Sequence, residues 1–210
     1  MRHFISISIV ASTLFACVAH SEGSTQDFVI DDTVVAAGAE PFLRHEQPGP
    51  FGSYLAMSIP FAPVKKLHAD LEASSGLTLI SRGEAHITVV TPIEYDQALK
   101  THLSIKEIGD LAEAAGIQSS AISLVCVGRG EKVVGHETLV TYYLVTDAEP
   151  LLALRLQIHQ AFVQAGGAPA AFNPETFYPH ITVGFTKRDL HFEDGIKKDR
   201  NSCVADLVRQ

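Results

Sequence analysis

Apolar residues along this chain recur with two periods, and the two alternate twice in the same order. Tyr54–Ile59 reads as a strand stopped by Pro60. Beyond Pro63, the apolar residues Val64, Leu67 and Leu71 fall at helical spacing, with Gly76 past the end. A strand-like Leu77–Ile80 and a turn at Arg82-Gly83 lead into the alternating run Ala85–Val90. A helix over Ile105–Ala115, closed by Gly116, separates this series from the next. Strand runs Ala121–Val127 and Thr138–Val145 then flank a Gly-rich charged loop, Gly128–Gly135. The pattern predicts a strong helix over Pro150–Ala165, a loop over Ala168–Phe177, and a strand over Tyr178–Phe185. The polar tail from Thr186 holds one more short strand candidate, Cys203–Val208.

The last strand of each series carries the same tetrapeptide, His-Ile-Thr-Val, at His86–Val89 and at His180–Val183. Alternation along a strand sends residues i and i+2 to one side. His86 and Thr88 therefore share a face, as do His180 and Thr182. A duplicated strand, helix and motif-strand order predicts an α+β domain of two lobes: two antiparallel sheets with flanking helices, facing each other across a central cleft, with one continuous mixed sheet as the alternative. Such a cleft would gather two imidazoles and two hydroxyls around one pocket.

Before the core, residues 20–52 are rich in Gly, Pro, Ser and Glu and read as an irregular arm, leaving 53–210 as the folded domain. Arg2 and His3 precede an apolar run from Phe4 to Val18, the pattern of a secretory signal peptide cleaved after Ala19. The run is short for a transmembrane span, and no later segment is apolar enough for one. Leu14-Phe15-Ala16-Cys17 offers lipid anchoring at Cys17 as the alternative, although Phe15 fits that motif poorly. The expected location is secreted or periplasmic. After cleavage Cys126 and Cys203 remain. In an oxidising compartment they allow one disulfide closing 78 residues (203 − 126 + 1), or else two buried thiols.

Net charge falls from −8 to −9 once Arg2 is removed (−8 − 1). An acidic chain without a basic stripe gains little along a phosphate backbone, which argues against a long nucleic-acid track and for a small nucleotide or short RNA end. The other histidines, His45, His68, His102, His136, His159 and His191, show no metal-ligand spacing, and no metal or cofactor is expected. Tyr54 and Tyr178 are candidates for substrate contacts, and Arg82 and Arg129 sit in loops near strand ends where either could meet phosphate. No nucleophile elbow, Walker or Rossmann loop is present. A monomer is expected.

Tyr54–Ile59, Ala85-His86-Ile87-Thr88-Val89 and Phe177-Tyr178-Pro179-His180-Ile181-Thr182-Val183-Gly184-Phe185 together resemble the two-histidine (2H) phosphoesterases. That superfamily includes cyclic nucleotide phosphodiesterases and the 2′-5′ RNA ligase-like proteins. The resemblance covers about residues 53–186. It implies a bilobal pair of antiparallel sheets, with His86, Thr88, His180 and Thr182 as the four catalytic positions. It also implies metal-free cleavage of a phosphodiester, typically a 2′,3′-cyclic phosphate. The residue chemistry suits that reaction. Histidine holds either protonation state near neutral pH, so one pair can supply base and acid. Thr88 and Thr182 can donate to phosphate oxygens as charge builds. The duplication leaves open which histidine is which. A nucleotide binder without turnover and an RNA-end ligase or repair factor are the competing readings.

Overall fold

The structure is a computed structural model describing residues 27–36 and 38–210; the signal peptide predicted from sequence and Cys17 lie outside these residues. Nine strands and four α-helices follow in chain order among them. The strands are β1 (Phe28–Ile30), β2 (His45–Glu46), β3 (Ser53–Ile59), β4 (Ala85–Val90), β5 (Ser123–Val134), β6 (Glu137–Asp147), β7 (His180–Phe185), β8 (Cys203–Ala205) and β9 (Leu207–Arg209). The helices are α1 (Phe61–Ser75), α2 (Pro92–Gln97), α3 (Ile105–Ala114) and α4 (Glu149–Gln164). Seven strands form one antiparallel sheet in the order β2-β3-β4-β7-β6-β5-β8, and β1 and β9 pair in parallel.

The class is α+β, with antiparallel strands and flanking helices, as the alternating pattern predicts. The two lobes meet within one sheet. Their seam is β4 against β7, recorded at a single opposed pair, Ile87 and Ile181. Both residues are fully buried, and with Val89 and Val183 they join the core that α1, α3 and α4 cover. The opposite face carries the alternate residues, His86 and Thr88, His180 and Thr182.

Two stretches differ from their sequence reading. Gly128–Gly135 is not a loop: β5 runs on to Val134, and the turn to β6 narrows to Gly135-His136. The glycines serve the strand here. A Cβ on Gly128 would lie 2.3 Å from the Tyr143 ring, and one on Gly130 would lie 2.6 Å from Ile196. Leu77–Ile80 is not a full strand, since only Ile80 bridges to Phe185. Cys203–Val208 divides between β8 and β9, which belong to different sheets. The arm before residue 53 contributes β1 and β2.

α2 and α3 begin with capping boxes, Thr91 with Glu94 and Ser104 with Glu107, which satisfy the first free amides of each helix. Glu94 does a second job. It accepts from Arg155 of α4, a side chain that is almost entirely buried. The Arg155 guanidinium also donates to the carbonyls of Val89, Asn173, Pro174 and Thr176 and lies over the rings of Phe172 and Phe177. Val89 closes the first motif, and Thr176 and Phe177 lead into the second. One cation therefore fastens the backbone beside both.

Candidate active site

The antiparallel register centred on Ile87 and Ile181 sets His86 level with Thr182 and Thr88 level with His180. Each imidazole thus faces the hydroxyl of the other motif. On the outer sides, β3 places Ser58 beside His86 and Ala56 beside Thr88, while β6 places Val145 beside His180 and Tyr143 beside Thr182. Small residues on one side and a packed aromatic on the other make the two halves unequal.

His86 is the more open imidazole. Its Nδ1 lies 3.3 Å from Glu84 Oε1, close enough for charge attraction but not aligned as a hydrogen bond. Tyr54 stands with its ring centroid 6.0 Å from that of His86 and stacks on His45 at 4.0 Å. Burial pulls His86 below the ordinary histidine value, against the pull of Glu84. It pulls His45 in the same direction, again opposed by Glu84.

His180 is encased. Its Nδ1 donates to the Tyr178 carbonyl at 2.7 Å, and its Nε2 accepts from Lys198 Nζ at 3.1 Å. The Tyr143 ring meets it edge-on at 5.8 Å. Burial first, and the Lys198 ammonium second, push His180 down to about 3. Lys198 is itself only 3 % exposed and donates to Asp189 Oδ1 at 2.9 Å. Burial pulls Lys198 below its usual value, against the attraction of Asp189. The other Asp189 oxygen accepts from Thr182 Oγ1 at 3.0 Å and from Arg82 at 3.1 Å. Burial alone would raise the Asp189 carboxyl, but Lys198 and its neighbours hold it well below the usual carboxylate range.

Asp189, His191 and Lys198 all ride on the segment between β7 and β8, which lies across this half of the face. Leu190 N–H donates to Thr141 Oγ1, Asp194 accepts from Arg188 and Lys132, and Arg200 pairs with Asp147. Cys203 closes the segment through a disulfide to Cys126 on β5, so the bond the spacing allowed is formed. Beside Lys198 opens a cleft of about 270 Å³, lined in part by Thr146, Glu149, Phe177, Tyr178 and Arg200.

Of the candidates named from sequence, His86, Thr88, His180 and Thr182 come to one face, with Tyr54 beside His86. Tyr178 reaches His180 only through its carbonyl; its ring stacks on Phe192 at the cleft. Arg82 is bound to Asp189, and Arg129 pairs with Glu131 over the Tyr142 ring. Sequence reasoning missed Asp189, Lys198 and Arg155. Lys197-Lys198-Asp199 looks like any solvated charge run. Arg155 did carry a signal, since it falls on the apolar stripe of Leu151, Leu154, Ile158 and Phe162. Among the described residues no three His, Cys, Asp or Glu side chains gather as a metal site, and no helix is long and apolar enough to cross a membrane.

Two His-x-Thr strands thus lie side by side at the centre of one antiparallel sheet. Residues 53–191 match the family model of the Swiss Army Knife 2H phosphoesterase domain, and the chain belongs to that family. No curated protein matches it.

Proposed function

We propose that the protein is a phosphodiesterase that opens 2′,3′-cyclic phosphates of nucleotides or short RNA ends by general acid and base catalysis between His86 and His180. The observation that carries this reading is the crossed register, which faces each imidazole with the other motif's hydroxyl on one side of the sheet. A cyclic phosphate seated there has an imidazole at either side of phosphorus. Water attacks phosphorus while one imidazole takes its proton. The P–O bond to one ribose oxygen breaks, and the other imidazole protonates that oxygen. Thr88 can donate to a phosphate oxygen as charge builds. Thr182 donates a hydrogen bond to Asp189 at rest and would turn from it to reach substrate.

The acidic chain favours a small ligand over a long strand. Export to an oxidising compartment is part of the proposal, supported by the apolar N-terminal run and the Cys126–Cys203 disulfide. A monomer acting on a free nucleotide fits the same picture.

The test is turnover of 2′,3′-cyclic AMP in the presence of EDTA, with the product resolved as 2′- or 3′-phosphate by phosphorus NMR. His86→Ala and His180→Ala should each lose about 10²- to 10⁴-fold in kcat/KM. A His86→Ala protein that opens the ring at the wild-type rate refutes the assignment.

A further inference from the structure

The duplicated motif does not say which histidine is base and which is acid, but the surroundings of the two copies do. A carbonyl oxygen only accepts a hydrogen bond, so the His180 nitrogen facing Tyr178 carries a proton. An ammonium only donates, so the nitrogen facing Lys198 carries none. The partners therefore fix both tautomer and charge: His180 is a neutral imidazole with its lone pair at Nε2. Nothing comparable pins His86, whose nearest charged neighbour is the Glu84 carboxylate.

Building on the phosphodiesterase reading, we propose that Lys198 divides the labour of the two motifs. Its ammonium, anchored by Asp189, keeps Nε2 of His180 unprotonated and makes His180 the base, while His86, beside Glu84, is the acid. The charged and titratable groups facing His180 are Lys198, Asp189 and His191, with the Tyr143 ring at its edge. Those facing His86 are Glu84, Arg82, His45 and Asp189, with Tyr54 beside them. A second proton on His180 would sit against an ammonium 3.1 Å away. A second proton on His86 meets a carboxylate instead.

Lys198 also explains how a capped base is released. A phosphate oxygen bears charge and is a stronger acceptor than a neutral imidazole. As the cyclic phosphate arrives, the ammonium turns from Nε2 towards it while keeping Asp189. Nε2 then takes the proton of the attacking water. The new P–O bond forms, the bond to the ribose oxygen breaks, and His86 delivers its proton to that oxygen. One proton has passed from His86 to His180 by way of water and product, and exchange with solvent resets the pair.

The experiment compares wild type with Lys198→Met by nitrogen-15 NMR of the imidazoles and by the pH profile of kcat/KM on 2′,3′-cyclic AMP. In wild type, His180 should stay neutral with Nε2 unprotonated from pH 8 down to 5. In Lys198→Met its midpoint should rise by about one unit or more, as expected on removing a like charge at hydrogen-bond distance. The acid limb of the profile should rise with it, and the alkaline limb, set by His86, should stay in place. Lys198→Met strands the Asp189 carboxylate. If that variant does not fold, the double variant Lys198→Met with Asp189→Asn is read in the same way. A wild-type His180 titrating near the ordinary histidine value, or a midpoint unmoved in the variants, overturns the proposal. The expected NMR behaviour without turnover of any cyclic phosphate leaves the proton placement standing and overturns the phosphodiesterase reading instead.

Discussion

Replacing Arg155 with methionine would test whether one buried cation holds the two motif strands in place. Arg155 makes six hydrogen bonds, between 2.5 and 3.3 Å, to four backbone carbonyls and both oxygens of Glu94. Methionine keeps most of the apolar stem against Phe172 and Phe177 and removes every donor. Each buried acceptor left without a partner costs about 1–3 kcal/mol. Breaking a buried ion pair costs about 3–5 kcal/mol. Glu94 is partly open to water, and the loop at 173–176 can relax towards solvent, which offsets part of this. A net loss of about 4 kcal/mol follows, a large share of the roughly 5–15 kcal/mol that holds a domain of this kind together. Urea unfolding followed by circular dichroism should show a lower midpoint at unchanged slope. Arg155→Lys should recover only a minor part, since an ammonium cannot span the carboxylate and the carbonyls as the guanidinium fork does. A loss below about 1 kcal/mol for Arg155→Met would refute the clamp.

Two further outcomes follow from the same face of the sheet. Replacing Cys126 and Cys203 by alanine removes a crosslink between residues 77 apart. Chain entropy alone puts the loss at about 4.5 kcal/mol, and a urea midpoint equal to that of the oxidised wild type would contradict it. His180 binds a proton more readily unfolded, near pH 6.5, than folded, near 3. Its contribution to stability is therefore complete above about pH 6.5 and shrinks as pH falls towards 3, on the order of 1 kcal/mol per unit. Urea midpoints at pH 7 and pH 5 in wild type and in His180→Gln read this directly. An equal pH dependence in both proteins would sink it.

Much of the fold was legible because its elements are amphipathic. β3, β4 and α4 fall within a residue or so of their sequence bounds, since alternation and helical spacing report directly on a strand or helix with one buried side. The four motif positions were legible for the same reason. Where the sequence misled, a local habit was overruled by packing. Gly128 and Gly130 read as loop formers, yet they are strand residues that make room for Tyr143 and Ile196. α2 was missed although Thr91-Pro92-Ile93-Glu94 spells a capping box, because a helix of six residues has too few turns to show a period. Asp189 and Lys198 were invisible for a deeper reason. Their burial depends on where a polar segment is laid down by β7, Thr141 and Cys203, and no local pattern of residues encodes that.

The parallel pairing of β1 with β9 has a mechanical consequence. Phe28 lies opposite Leu207 and Ile30 opposite Arg209, with the Asp32 amide bonded to the Gln210 carbonyl at the far end. Because the strands run in the same direction, a pull on Asp27 and an opposed pull on Gln210 act along the strand axis from opposite ends. The backbone hydrogen bonds between them are then sheared together rather than opened one by one, and the Asp32–Arg209 ion pair shares the load. Tension between these two points meets its resistance at this small pair of strands, before any of it reaches the seam where the two histidines stand.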